Sequence, residues 1–177
     1  MLTLSKKVCL LGDFAVGKTS LVRRFVYDLF DDKYLSTIGV KVSRKIITVA
    51  REQDLVELTL MLWDLAGGEE LTHMGTSYLR GASGIILVGD LTRPATFDVL
   101  PRYVAAAKQV GPRLPLLLVA NKIDLLGDSE GDRALVQQVQ ALAETLCAPL
   151  YLTSALRGDE VEEAFRGLGR LVVEHDA

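Results

Sequence analysis

Hydrophobic and polar positions follow two different periods along this chain, and together they predict a layered α/β protein. Short, uninterrupted apolar runs occur at "KKVCLLG" near the start, "GIILVGD" from Gly84 and "PLLLVAN" up to Asn121. Runs of that length without a polar face suit parallel strands covered on both sides. "PLYLTS", ending at Ser154, predicts one more short strand. Two longer runs, "VKVSRKIITVA" and "LVELTLMLWDLA", flank the charged "REQD" and read as an antiparallel hairpin. In the second run Leu58, Leu60 and Leu62 fall on one face, and Thr59, Met61 and Trp63 on the other.

Helical spacing fills the gaps, at "SLVRRFVYDLF", around "VAAAKQV" and at "ALVQQVQALAETL". A last helix is expected to open at Asp159, with Glu162 three residues on in a capping-box pattern. It would bury Val161, Ala164, Phe165, Leu168 and Leu171. Gly167 and Gly169 lower its propensity, so its far end is expected to loosen. The order βα, β, β, α, βα, βα, βα predicts a doubly wound α/β sheet with one antiparallel edge strand.

Composition narrows the class. The 177 residues (19.3 kDa) suit a single domain, residues 1–177, with a substantial core. A hydrophobic fraction of 49% against 24% charged residues fits a globular protein rather than a disordered one. The net charge of −3 argues against a broad nucleic-acid surface. Cys9 and Cys147 lie far apart inside apolar runs and read as buried free thiols in a reducing, cytoplasmic compartment. The apolar part of "MLTLSKKVCLLG" is too short for a signal peptide, and no run approaches a membrane span.

In a doubly wound sheet, ligands bind beyond the C-terminal strand ends, where the loops gather. The first such loop, "GDFAVGKT" from Gly12 to Thr19, fits the phosphate-binding pattern G-x-x-x-x-G-K-[ST]. Gly12 and Gly17 let the backbone wrap so that its N–H groups face phosphate oxygens, with the next helix adding its dipole. Lys18 would reach the β- and γ-phosphates, and the Thr19 hydroxyl would ligate Mg²⁺. "NKID", Asn121 to Asp124, follows a predicted strand end. Asp124 can accept hydrogen bonds from guanine N1–H and its exocyclic amine, whereas adenine offers an acceptor at that ring nitrogen. A site built around such donors rejects the analogue lacking them by roughly 10⁴ or more. Lys122 can lie along the base, and Asn121 can tie this loop to the phosphate loop.

With these motifs, and with "STIGV" around Thr37, "WDLAG" and "SAL" in order, the chain resembles a Ras-superfamily small GTPase. It is closest to the Rab branch, and the resemblance covers nearly the whole chain. It implies a P-loop G domain whose six-stranded sheet runs 2-3-1-4-5-6 between five helices. It implies GTP or GDP with Mg²⁺ as cofactors, and nucleotide contacts from Asp13, Phe14, Ala15, Val16, Gly17, Lys18, Thr19 and Ser20. Further contacts would come from Phe30 and Tyr34, and from Asn121, Lys122, Asp124, Ser154, Ala155 and Leu156. Phe30 would pack edge-on against guanine, and the Ala155 N–H would meet guanine O6. Thr19, Thr37 and Asp64 would hold the metal, Thr37 only when a γ-phosphate is present and Asp64 through water. The Gly67 amide would bond the γ-phosphate, so Lys18, Thr37 and Gly67 form the implied catalytic set. Loss of the γ-phosphate would release both loops, the action of a molecular switch. Effectors, exchange factors and GTPase-activating proteins would dock at Thr37 to Val42 and Trp63 to Tyr78. Trp63 and Tyr78 stand where Rab-like proteins present aromatics to effectors; core packing is the alternative for each, and for Trp63 an equal one.

Four departures from the family pattern bear on function. The position after Gly67, where the family carries a water-orienting glutamine, holds Gly68. Glu69 is a poor substitute, since a carboxylate is repelled by phosphate oxygens. Phe14 replaces a small residue in the phosphate loop and would obstruct an incoming arginine finger. Val42 stands where a Rab has phenylalanine, so Rab effectors do not carry over. No cysteine follows Cys147, so no prenylated membrane anchor is visible. Slow intrinsic GTP hydrolysis is the expectation, with a non-hydrolysing, GTP-loaded platform as the alternative. A P-loop phosphotransferase is disfavoured, because no arginine-rich lid segment is visible and "NKID" selects guanine. His73 and His175 read as solvated rather than catalytic.

Overall fold

The computed structural model describes residues 2–31, 33, 35–51, 54–68 and 77–176. Six strands form one sheet: β1 (Leu2–Gly12), β2 (Val40–Arg51), β3 (Asp54–Leu65), β4 (Gly84–Asp90), β5 (Leu116–Asn121) and β6 (Leu150–Thr153). Their spatial order is β2-β3-β1-β4-β5-β6, with only the β2–β3 pair antiparallel. Five α-helices lie among the described residues: α1 (Lys18–Tyr27), α2 (Ala95–Asp98), α3 (Leu100–Val110), α4 (Glu130–Thr145) and α5 (Val161–His175). The expected order and hairpin are borne out. A helix is also expected between β3 and β4, and residues 69–76 of that stretch lie outside the described residues.

The two periods have the physical origin the sequence suggests. Every residue of β4 and of β5 is buried, because helices cover both faces of the sheet there. On β3, Leu58, Leu60 and Leu62 are buried, while Thr59, Met61 and Trp63 are partly exposed. The Lys7 ammonium lies 3.7 Å from the Trp63 ring centroid, a cation–π contact on that more open face. One core joins α1 and α5 to the sheet, where the Phe25 and Phe165 rings stack at 4.3 Å. The other lies on the opposite face, beneath α3 and α4.

Three local expectations are corrected. No capping box opens α5; its N-cap is Glu160, at φ 50°. The Glu160 carboxylate instead accepts the Leu152 N–H at 2.9 Å, and Glu162 turns along the helix to pair with Arg166. A capping box does form at α4, between Ser129 and Asp132. Gly167 and Gly169 do not loosen α5, which runs on to His175 with both glycines buried. A Cβ at Gly167 would come within 2.5 Å of the Tyr151 hydroxyl, so the small residue admits its neighbour. Cys147 is exposed rather than buried, because it sits at φ 53° in the turn after α4. Cys9 is buried as expected, and that burial pushes its thiol up to about 12.

Candidate functional site

The loop between β1 and α1 lies at the C-terminal end of the sheet, where the sequence places it. Gly17 is the N-cap of α1 at φ 104°, and a Cβ there would run into the Asn121 side chain. Ala15 also takes a left-handed conformation, at φ 60°. Successive turns of this kind aim N–H groups into a concavity suited to anions. The Lys18 ammonium donates to the Gly12 and Asp13 carbonyls, both at 2.9 Å. Burial pulls its pKa down to about 8, partly offset by Asp64 and Asp13.

Beside Lys18, three oxygens converge. The Thr19 and Thr37 hydroxyls lie 2.8 Å apart, and the Thr19 hydroxyl also donates to Asp64 Oδ2. Asp64 is buried, which raises its carboxyl, and its Oδ1 has no hydrogen-bond partner among the described residues. Two hydroxyls and a carboxylate with a spare buried oxygen suit a hard divalent cation such as Mg²⁺. Histidine, cysteine and carboxylate clusters with metal-ligating geometry are absent among the described residues.

The other end of the cleft is built from the β5 and β6 loops. Asn121, at the end of β5, donates to the Val16 carbonyl at 3.0 Å, tying the two loops together. Its Oδ1 accepts from Thr153 Oγ1 at 3.0 Å and from the Ala155 N–H at 3.3 Å. Lys122, at φ 69°, donates to Ala15 O at 3.1 Å and pairs with Asp90 at 2.7 Å. Asp124 accepts from the Ser154 hydroxyl at 2.7 Å, which fixes its carboxylate toward the cleft rim.

A cavity of about 370 Å³ unites both ends. Phe14, Ala15, Gly17, Lys18, Thr19 and Ser20 line it from the phosphate loop, and Thr37 and Gly67 from the two neighbouring segments. Phe30, Asn121, Lys122, Asp124, Ala155 and Leu156 line its far end. Of the remaining expected residues, Val16 and Ser154 are buried behind the wall, Asp64 lies beneath Thr19, and Asp13 contributes its carbonyl to Lys18. Tyr34, Glu69 and His73 lie outside the described residues. His175 is exposed, at the other end of the chain.

Gly67 packs against the phosphate loop so closely that a Cβ would meet Phe14 N at 2.5 Å. Gly68 follows at φ 103°, with nothing within 4 Å of where its Cβ would stand. The Phe14 side chain is 48% exposed at the cleft rim. Tyr103 on α3 hydrogen-bonds to the Gly68 main chain, and burial raises its phenol. Three supporting residues have no counterpart in the motifs. Asp90 and Arg93 brace the loops from behind, and Arg24 grips the Ala155 loop. Asp90 was visible in one respect, as a charged residue closing the apolar run "GIILVGD" at a C-terminal strand end.

Residues 7–174 match the Ras family profile. The chain belongs to the Ras family. It is 36% identical over 169 residues to Ras-related protein SEC4 of Saccharomyces cerevisiae, spanning 95% of this chain and 75% of SEC4. Against Homo sapiens Ras-related protein Rab-31 it is 34% identical over 167 residues, 94% of this chain and 82% of that protein. Against Homo sapiens Ras-related protein Rab-21 it is 35% identical over 172 residues, 96% and 73% of the two chains. This Ras-family chain is a Rab-like small GTPase, a guanine-nucleotide-binding switch of the P-loop type. Its family hydrolyses GTP, uses Mg²⁺ and works through effectors, exchange factors and activating proteins. Among the described residues, no helix is long and apolar enough to cross a membrane.

Proposed function

We propose that this Ras-family chain, as one G domain over residues 1–177, cycles slowly between GTP and GDP. The observation that carries the reading is Gly68, which puts no side chain where an attacking water would be oriented. In this reading the amides of residues 13–20 and the Lys18 ammonium hold the polyphosphate. Asp124 accepts from the guanine N1–H and amine, Phe30 meets the base edge, and Ala155 donates to O6. Thr19, Thr37 and Asp64 would hold Mg²⁺, which neutralises charge on the β- and γ-phosphate oxygens when bound. Leu156 and Ser154 shape the base end, and Tyr34 is carried over from the resemblance as a nucleotide contact.

The chemistry left to this chain is positioning and charge stabilisation. Lys18 supplies a buried positive charge to the γ-phosphate, and the Gly67 amide adds a hydrogen bond to it. Water enters the γ-phosphate side without a glutamine to align it, and the exposed Phe14 ring narrows access for an arginine from a partner. A positioned arginine is worth roughly 10³–10⁵-fold in such reactions, so its exclusion holds turnover near the intrinsic level. Thr37 to Val42 and Trp63 to Tyr78 form the partner surface, with Val42 exposed and Trp63 partly packed on the core. Nucleic acid has no place in this reading.

Single-turnover hydrolysis of preloaded GTP tests the proposal. A rate equal to that of a glutamine-bearing relative would overturn it. The second reading, a platform that stays GTP-loaded, is favoured by Phe14 and Gly68 acting together. Nucleotide extracted from purified protein separates the two, since a platform carries GTP with no turnover over hours.

A further inference from the structure

Arg24 lies on α1, away from every recognised nucleotide motif, yet its guanidinium reaches the loop after β6. Its Nε donates to the Ala155 carbonyl at 2.8 Å, and its Nη2 donates to the Leu156 carbonyl at 2.5 Å. Its Nη1 pairs with Asp28 Oδ1 at 3.1 Å, at the turn that ends α1. Asp28 is held at φ 54° and donates its own N–H to the Arg24 carbonyl. Two residues beyond Asp28 stands Phe30, which lines the same cavity as Ala155 and Leu156. One planar fork therefore holds two consecutive carbonyls of one lining loop and the turn that leads to another lining residue.

We propose that Arg24 is a specificity-determining positioning residue, which fixes the Ala155–Leu156 backbone so that the Ala155 N–H is presented to the purine 6-oxygen. The inference deepens the guanine-binding reading above and rests on it. The geometry decides what the fork can do. A carbonyl held at Ala155 fixes the orientation of the peptide that follows, and the grip at Leu156 fixes the next. The Ala155 N–H belongs to the preceding Ser154–Ala155 peptide, held by its own bond to Asn121 Oδ1 at 3.3 Å and by the Gly158 N–H on the Ser154 carbonyl at 2.7 Å, so the fork completes the grip by pinning Ala155 from its other side. The Arg24 side chain is mostly buried, and its charge-assisted bond to the Ala155 carbonyl is partly shielded from water, whereas those to Leu156 and Asp28 are exposed. Lysine lacks the planar fork that ties two carbonyls and a carboxylate at fixed angles, so it would hold this backbone less firmly. Gly158, at φ 90°, lies beside the arginine stem, its Cβ position at an ordinary contact distance of 3.7 Å from Arg24 Cδ.

Dissociation rates of GDP and of 2-aminopurine riboside diphosphate, which lacks the 6-oxygen, test the proposal on the full chain with Mg²⁺. Arg24→Gln should raise the GDP rate by about tenfold or more while raising the analogue's rate far less, so the preference for GDP shrinks. Arg24→Lys should fall between wild type and Arg24→Gln. An equal factor for both nucleotides would make Arg24 a merely structural residue and overturn the proposal, as would no change in either. If Arg24→Gln does not fold, as judged by circular dichroism, Arg24→Lys carries the same comparison. Asp124→Asn is measured in parallel with guanosine and xanthosine diphosphates. Unaltered preference there sinks the guanine reading itself, independently of the Arg24 result.

Discussion

The Lys122 ammonium lies 2.7 Å from Asp90 Oδ2, joining the loop after β5 to the end of β4 across the cleft floor. Asp90 is fully buried, and Arg93 Nε shares the same oxygen at 3.0 Å. Both cations then reach forward to the phosphate loop, Lys122 to Ala15 O and Arg93 to Phe14 O at 2.7 Å. One carboxylate thus holds the base loop and the phosphate loop in register. Neither loop contains it.

Replacing Asp90 should therefore loosen both ends of the cleft at once. Asp90→Asn leaves two cations without their shared anion, and breaking a buried pair costs about 3 kcal/mol, less here because Lys122 and Arg93 are partly exposed. Burial alone would raise the Asp90 carboxyl, but hydrogen bonds from Lys122, Thr92 and Arg93 outweigh it and hold the carboxyl below its ordinary value. A depressed folded pKa contributes stability in full above the unfolded value of about 3.9, and loses it as pH falls through the folded value. The stability gap between wild type and Asp90→Asn should be flat from about pH 5 to pH 8 and close below about pH 4. Urea titrations at several pH values measure it, and a gap that widened in acid would contradict the assignment.

Restoring the missing side chain should restore rate. Gly68→Gln places an amide in open space, although a side chain at φ 103° is strained by about 1–3 kcal/mol and the loop must adjust. Single-turnover hydrolysis should rise by about tenfold or more, within the range that a positioned acid–base or water-orienting group supplies. Adding Phe14→Gly should matter little alone but should make the double variant responsive to a partner's arginine. If Gly68→Gln leaves the rate unmoved, water alignment is not what limits this protein.

Gly167 offers a stability test that separates helix propensity from packing. Alanine in an exposed helix interior would stabilise by about 1 kcal/mol over glycine. Here its Cβ would stand 2.5 Å from the Tyr151 hydroxyl, and overpacking costs about 1–3 kcal/mol. Gly167→Ala should therefore lower the urea midpoint, and in a Tyr151→Phe background the loss should shrink. Equal losses in both backgrounds would point to another neighbour.

The sheet was legible in the sequence because its signals are local. Continuous apolar runs marked β4 and β5, and alternation marked β3, with each period set by which faces a helix covers. The phosphate loop and "NKID" were legible for a similar reason: each packs several chemical requirements into adjacent residues. Arg24, Asp90 and Arg93 were not. Asp90 and Arg93 pair locally, but the contacts that reach the site, Arg24 to Ala155, Lys122 to Asp90 and Arg93 to Phe14, span 131, 32 and 79 residues, so no short window contains them. The misread capping box at Asp159 has the same origin. Glu160 is drawn to the Leu152 amide eight residues back, and that tertiary contact overrides the local pattern. Cys147 was misread because apolar neighbours predict burial, while the turn after α4 points that residue outward.

Metal dependence gives the sharpest separation of the GTP and GDP states. Thr19 and Asp64 belong to elements fixed by the sheet, α1 and β3, whereas Thr37 lies between them on an irregular segment. The Thr37 hydroxyl stands 2.8 Å from that of Thr19, which brings this segment to the proposed cation position. In the proposed reading a γ-phosphate would hold it there and a diphosphate would not. Asp64→Asn should raise the Mg²⁺ concentration needed to slow release of either nucleotide, by about 10–100-fold, the usual effect of losing an outer-sphere partner. Thr37→Ala should raise it for GTP and leave it unchanged for GDP. Dissociation of labelled nucleotide across a Mg²⁺ titration reads both effects, and equal sensitivity of the two nucleotides to Thr37→Ala would mean that this threonine does not sense the third phosphate.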